Sequence, residues 1–347
     1  YAETAAQNDS LNLGMTYTTS IQSIVSANAN AGMSIVKWEG AGAQIQIPHG
    51  LSAVPEMIIS KRLDSTNNWS VYHKDLSLSH STYPNWLYLN ATSAEQASVS
   101  SANHPYYARP SATVIYQNTG TSESTNVSGG DYISYCFHSV SGYSKFGSYT
   151  GNGNNDRAIT TGFKPDFILI KSTVGNDNWR LYDTRRGIEG GGYLEPNRTD
   201  ADDTSNAPNL TMTSTGFTIT SGGVTAGNNA NGNLYIYWAV AKNVPSNTTL
   251  ANSFKVVTYT GNGSTQSITG TGFTPDLVWI KQRSGTQDQM WYDNNRGAGN
   301  YISSNNTNAQ GYANSTVTSF DTDGFSVGSS NSENQNGQPF VAWTWPA

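Results

Sequence analysis

Gly162-Phe-Lys-Pro-Asp-Phe-Ile-Leu-Ile-Lys171 recurs as Gly272-Phe-Thr-Pro-Asp-Leu-Val-Trp-Ile-Lys281, and in weaker form as Val54-Pro-Glu-Met-Ile-Ile-Ser-Lys61. The prolines stand at 55, 165 and 275, two steps of 110 residues. Downstream, Trp69-Ser-Val-Tyr72, Trp179-Arg-Leu-Tyr182 and Gln289-Met-Trp-Tyr292 keep the same register. Upstream, Val36-Lys-Trp-Glu-Gly40, Gly147-Ser-Tyr-Thr-Gly151 and Val257-Thr-Tyr-Thr-Gly261 open each unit. Each unit closes on an aromatic run: Tyr132-Ile-Ser-Tyr-Cys-Phe137, Tyr235-Ile-Tyr-Trp-Ala-Val240 and Phe340-Val-Ala-Trp-Thr-Trp345. Landmarks held in register over three copies define a tandem array.

The elements within a unit read as strands. Phe167-Ile-Leu-Ile-Lys171 is too short for a helix, and its unbroken apolar character suits a strand buried on both faces. Val256-Val-Thr-Tyr-Thr260 and Phe217-Thr-Ile-Thr220 are rich in β-branched and aromatic residues. Asn-Gly and Gly-Asn pairs at 151–153, 231–232, 261–263 and 336–337 supply the positive φ of tight hairpins. Proline before each apolar run sits where a missing N–H costs no ladder bond. The expected fold is all-β, a tandem array of three related, jelly-roll-like β-sandwich domains. Phe167, Ile168, Ile170, Leu277, Val278 and Ile280 are expected in the core.

The repeat sets the boundaries. Residues 1–30 repeat nothing and are expected to act as an attachment strap to a preceding domain or a neighbouring chain. The first unit spans 31–141, the second 142–253 with a polar linker at 243–253, and the third 254–347. The linker, interrupted by proline, predicts a rigid pair followed by a hinged third unit.

Composition excludes several classes. Charged residues are 12% of the 347, about half the ~25% of ordinary soluble proteins, while Ser, Thr, Asn and Gly dominate. The 39 aromatics argue against disorder. A net charge of −6 leaves no basic footprint for nucleic acid. No apolar run approaches the ~18–20 residues of a membrane span. No basic stretch followed by an apolar core opens the chain, and its first residue, Tyr1, reads as the start of a processed or truncated chain. The lone Cys136 excludes an intramolecular disulfide and a cysteine zinc site, and is expected to be a buried, unmodified filler.

Tyr132-Ile-Ser-Tyr-Cys-Phe-His138, Gly142-Tyr-Ser-Lys-Phe-Gly-Ser-Tyr-Thr-Gly-Asn-Gly153, Thr161-Gly-Phe-Lys-Pro165 and Trp179-Arg-Leu-Tyr-Asp183 together resemble a repeat domain of uncharacterised type. Such domains occur in virion structural proteins of marine bacteriophages, particularly cyanophages, often tail-fibre-like. The resemblance covers residues 31–347 and implies a viral surface protein without specifying a chemistry. The first unit departs from the pattern, with His73 where the others carry Asp183 and Asp293.

Candidate sites are few. Tyr182-Asp-Thr-Arg-Arg-Gly187 and Tyr292-Asp-Asn-Asn-Arg-Gly297 each place Asp and Arg three residues apart at a strand-to-turn junction. A general base is one reading of Asp183 and Asp293; a clasp in which Arg186 and Arg296 cap the carboxylates suits the repetition better. Asp200, Asp202 and Asp203, and separately Asp321 and Asp323, are oxygen clusters that could hold calcium, with solvated loops or plain turns as the alternative. The five histidines show no metal-ligand spacing, and neither a phosphate-cradling loop nor a Gly-x-Ser-x-Gly elbow occurs. No catalytic residue, metal or cofactor is expected. Tyr83-Pro-Asn-Trp86 and His104-Pro-Tyr-Tyr107 lie in polar loops of the first unit without repeat counterparts. Tyr83, Trp86, Tyr106 and Tyr107 are therefore candidates for stacking on sugar faces, against the reading that they bury an insertion or a chain contact.

The expected function is a non-enzymatic tail fibre or spike on the virion surface that contacts host glycans. A capsid decoration or head-fibre protein contacting other virion proteins is the alternative, and a polysaccharide depolymerase is disfavoured by scarce carboxylates. Many strand edges with little charge to guard them predict a homo-oligomer. The resemblance implies a trimer, with residues 1–30 in its interface.

Overall fold

The computed structural model describes residues 21–79, 83–97, 104–119, 126–186, 192–203, 210–220, 227–241, 250 and 252–347. Among them the chain is all-β, built of several antiparallel sheets, with one four-residue helix at Asn331–Asn334.

Three larger sheets repeat one strand order. In the first, Met33–Glu39 pairs with Asp131–Phe137, which pairs with Met57–Arg62, which pairs with Ser70–His73. The second runs Ser144–Thr150, Leu234–Ala241, Pro165–Ser172, Arg180–Asp183. The third runs Lys255–Thr260, Pro339–Trp345, Leu277–Gln282, Met290–Asp293. Register repeats as well: Ile59 faces Tyr135, Leu169 faces Trp238, and Trp279 faces Trp343. Smaller sheets cover them. Ile45–Pro48 pairs with Val114–Gln117; Gly216–Ile219 lies between Arg157–Thr160 and Thr211–Thr213; Gly324–Val327 lies between Gln266–Thr269 and Val317–Asp321.

Period-two geometry explains the unbroken apolar runs, because alternate side chains enter different cores. Phe167 and Leu169 enter one large cluster, together with Met57, Ile59, Leu277 and Trp279 from the other two runs. Ile168 and Ile170 enter a separate cluster under the small sheet of the second unit. Val278 and Ile280 do the same in the third, and Ile58 in the first. All six core positions named from the sequence are at most 1% exposed. Each strand is buried on both faces, as parallel strands usually are, although every pair here is antiparallel.

The large cluster is shared by all three units. Trp69, Tyr135 and Phe137 of the first meet Phe146, Trp179 and Trp238 of the second and Trp279, Trp291, Trp343 and Trp345 of the third. Trp69 lies 5.4 Å from Trp291, and Trp238 stacks 5.3 Å from Trp345. The third unit is thus packed against both others, and the hinge expected from the linker is not what these contacts build. Residues 242–249 and 251 of that linker lie outside the described residues.

Residues 1–20 lie outside the described residues, but Ser23–Asn28 pairs with Met33–Glu39 and adds an edge strand to the chain's own first sheet. Gly32, at φ +68°, makes the turn, and its missing Cβ leaves room for the His138 carbonyl. Ser26 Oγ then donates to the Ala347 carbonyl at 3.0 Å, tying this strand to the other end of the chain.

Candidate functional site

The Asp–Arg pairs sit where the units meet. After the strand Arg180–Asp183 the chain turns, and Asp183 Oδ1 accepts the N–H groups of Arg185 and Arg186, both at 3.0 Å. Its Oδ2 accepts Arg186 Nε at 2.5 Å and, from the third unit, Trp343 Nε1 at 3.1 Å. Asp293 repeats the arrangement, with Arg296 Nε at 2.5 Å and Tyr135 of the first unit donating its hydroxyl at 2.7 Å. Both carboxylates are fully buried. Each guanidinium also donates backward to a carbonyl of its own strand, Leu181 or Trp291, at 3.0 Å. A general base needs reach to a substrate proton; Asp183 instead holds four donors in a dry core. The arrangement satisfies a buried charge and a turn together.

The first unit solves the same place without charge. His73, fully buried, accepts the Asp75 N–H on Nδ1 at 3.2 Å, as Asp183 accepts that of Arg185. Burial pushes its pKa down to about 3, so the ring is neutral. Leu76, 2% exposed, stands where Arg186 and Arg296 stand. A neutral pair, His73 and Leu76, thus occupies the positions that hold acid and base in the other units.

A second set of bonds joins the units in a cycle. Trp69 Nε1 of the first donates to the Ser303 carbonyl of the third at 3.0 Å. Trp179 Nε1 of the second donates to the Tyr88 carbonyl of the first at 2.9 Å. Gln289 Nε2 of the third donates to the Glu195 carbonyl of the second at 3.2 Å. These donors are 110 residues apart, and each acceptor lies two residues before an asparagine. That asparagine (Asn90, Asn197 or Asn305) accepts the backbone N–H of its own unit's donor residue at 2.7–2.9 Å.

The lysines ending the apolar runs share these seams. Lys61, Lys171 and Lys281 are at most 1% exposed, and burial pushes each down to about 8. Lys61 Nζ donates to Thr307 of the third unit and Lys171 Nζ to Thr92 of the first, while Lys281 Nζ donates within its own unit to Gln282 and Gly285. A further triad closes each unit. Asn126, Asn229 and Asn334 accept the N–H of Ala41, Asn152 and Asn262 at 2.8–2.9 Å, next to Gly40, Gly151 and Gly261. The signal for this triad is Asn-x-x-Gly ahead of each closing strand, which sequence reading passed over.

The calcium candidates are engaged otherwise. Asp202 bridges Arg186 at 2.6 Å and Arg283 of the third unit at 2.8 Å. Asp200 pairs with Arg198, and Asp203 bridges Tyr193 through the backbone. Asp323 accepts the turn N–H of Gly272 at 2.6 Å, and Asp321 accepts Ser326 Oγ at 2.7 Å. No group of three possible ligands clusters among the described residues. No helix among them is long and apolar enough to cross a membrane.

The sugar-stacking candidates need correction. Trp86, Tyr106 and Tyr107 are 4%, 1% and 5% exposed, and their faces are covered by protein. Trp86 meets His104 edge-on at 5.2 Å, Tyr106 meets Tyr72 at 5.9 Å, and Tyr107 meets Tyr116 at 5.3 Å. Tyr83 is half-buried against His104 at 5.1 Å. A ring with no free face cannot stack on a sugar, so Trp86, Tyr106 and Tyr107 do not form the platform expected of them.

A repeated chain of antiparallel sheets, whose buried charges serve the joints between its units, is defined here by its architecture. The chain belongs to the family described as a domain of unknown function (DUF7483), which matches residues 12–244 and 250–347. Neither a curated protein nor a solved structure matches it.

Proposed function

We propose that the chain is a non-enzymatic display module of a virion surface, a tail-fibre or spike element that contacts host-surface glycan. In this reading each large sheet and its covering sheet form one β-sandwich, and the three sandwiches close on each other as a ring within one chain. The observation that carries it is the cycle of Trp69, Trp179 and Gln289, with the core it encloses. Three-fold closure gives a fibre head its rigidity, and here one polypeptide supplies all three parts. The carboxylates best placed for chemistry, Asp183 and Asp293, are held by arginines, which favours display over depolymerase work.

Internal closure bears on assembly. A homotrimer built through apolar sheet faces would need faces to spare, whereas these turn theirs into the shared core. A body self-contained in this way also suits the second reading, a capsid decoration or head-fibre protein that contacts other virion proteins. Antibody labelling of intact virions tests both. Label on the tail supports the fibre or spike, label on the head supports decoration, and unlabelled virions that contain the chain would contradict surface display.

A further inference from the structure

Departures from the three-fold pattern gather at one groove of about 430 Å³ between the first and second units. Its lining includes Lys74 and Asp75 of the first and Lys145, Gly147, Arg157 and Tyr237 of the second. Tyr237 faces Gly147 across the sheet; the same register pairs Ser134 with Val36 and Ala342 with Val257 in the other units. A Cβ on residue 147 would stand 2.6 Å from the Tyr237 hydroxyl, so glycine is what lets the phenol lie there. Arg157 faces Ile219 where the third unit has Gln266 facing Val327. Lys74 stands where the others carry Thr184 and Asn294.

Positive charge is concentrated there and little of it is paired. The groove holds three of the chain's 18 Lys and Arg residues against one carboxylate in its lining, Asp75. Lys74 pairs with Glu56 at 3.0 Å. Lys145 donates to the Thr160 carbonyl at 2.9 Å. Neither Lys145 nor Arg157 has a carboxylate within ion-pair distance among the described residues. Arg157 lines the groove, and its Nε is buried with no hydrogen-bond partner among the described residues.

We propose that this groove binds an acidic saccharide, a sugar bearing a carboxylate or sulfate. The Arg157 guanidinium and Lys145 ammonium hold the acid group, the former through its planar fork. Tyr237 is 3% exposed and forms part of the groove floor, so the contacts to the ligand come from the two cations rather than from a stacked ring. The groove volume lies within the range of roughly 300–1,000 Å³ typical of small-ligand sites. This deepens the glycan-contact reading and rests on it.

Titration calorimetry of the full chain tests the site with a sulfated oligosaccharide, a uronate oligosaccharide, neutral dextran and inorganic sulfate. The expected result is binding of one or both acidic oligosaccharides, none of dextran, and sulfate at least tenfold weaker than the sugar. Arg157→Gln, which imports the third unit's residue, and Lys145→Gln are each expected to weaken binding at least tenfold without lowering Tm. Absence of binding at millimolar concentrations, undiminished affinity in Arg157→Gln, or sulfate binding as tightly as the sugar would overturn the proposal. Virions that label with antibody while the chain binds no acidic sugar would sink the groove alone; binding by a chain absent from the virion surface would sink the display reading alone.

Discussion

The indole Nε1 of Trp343 donates to Oδ2 of Asp183 at 3.1 Å, joining the last strand of the third unit to the turn of the second. Tyr135 and Asp293 join the first unit to the third in the same sense. Trp238 is the equivalent of Tyr135 and Trp343 in the second unit, and His73 is the equivalent of the acid in the first. A mixed core needs polar bonds of this kind to fix which face meets which, since apolar contact alone is non-directional.

The neutral version of the joint gives a direct test. Asp293→His leaves Arg296 buried without its carboxylate, and Arg296→Leu strands the acid. Each is expected to cost about 3–5 kcal/mol, because removing one partner uncovers a buried charge. The double substitution reproduces the His73–Leu76 pair and is expected to cost clearly less than the sum. Urea melts of the four proteins measure this as a coupling energy. Additive losses would mean that the pair acts as two unrelated side chains.

Stability is expected to follow pH in an unusual way. Burial holds Lys61, Lys171 and Lys281 at about 8 in the folded chain, against ~10.4 in an unfolded one. Between these values the unfolded chain binds more protons, so stability rises with pH through that window. Above about 10 the sign reverses. Tyr72 and Tyr237, pushed up to about 12 by burial, keep protons that unfolded tyrosines release. On the acid side, His49 is held at about 4 and His73 at about 3, so stability is lost as pH falls through ~6.5 toward those values. A Tm profile that declines steadily from pH 8 to 10 would contradict the lysine assignment. Lys281→Met is expected to flatten part of the rise.

Much of this was legible in the sequence, for reasons that individual residues make plain. Phe167 to Ile170 announced a doubly buried strand because period two sends neighbours to opposite faces. Burial of the lysine ending each run was not legible, because a run's terminal charge ordinarily reaches water. Asn90, Asn197 and Asn305 escaped notice because loop lengths differ and their spacings depart from 110. The aromatics at 83–107 misled for a physical reason. Among the described residues two strands cover the first unit's large sheet, Ile45–Pro48 and Val114–Gln117, where three cover the others. Trp86, Tyr88 and Tyr106 supply apolar surface in that layer. Polar loop neighbours gave them the look of exposed residues.

Cys136 is fully buried in the first unit's local core, and burial pushes its thiol up to about 12. Since the thiolate is the reacting species, native protein is expected to stay unmodified by a thiol reagent over hours and to react at once in denaturant. Stoichiometric labelling under native conditions would contradict this burial.

The cyclic seam bonds make a graded prediction. Trp179→Phe keeps most of the ring's packing but removes the donor to the Tyr88 carbonyl. The expected loss is about 0.5–1.5 kcal/mol, since the Tyr88 carbonyl keeps the Ala91 N–H at 3.4 Å. Trp179→Ala adds a cavity in the shared core and is expected to cost about 3–5 kcal/mol. Equal, negligible losses would place Trp179 outside the joint.

The central claim is that three repeated units share one core, and calorimetric unfolding of the full chain tests it most directly. One cooperative transition is expected, with van't Hoff and calorimetric enthalpies equal within error. The isolated residues 254–347, with Trp279, Trp291 and Trp343 uncovered, are expected not to fold stably. Two or three separate transitions, with a third unit that melts alone and folds alone, would contradict the shared core.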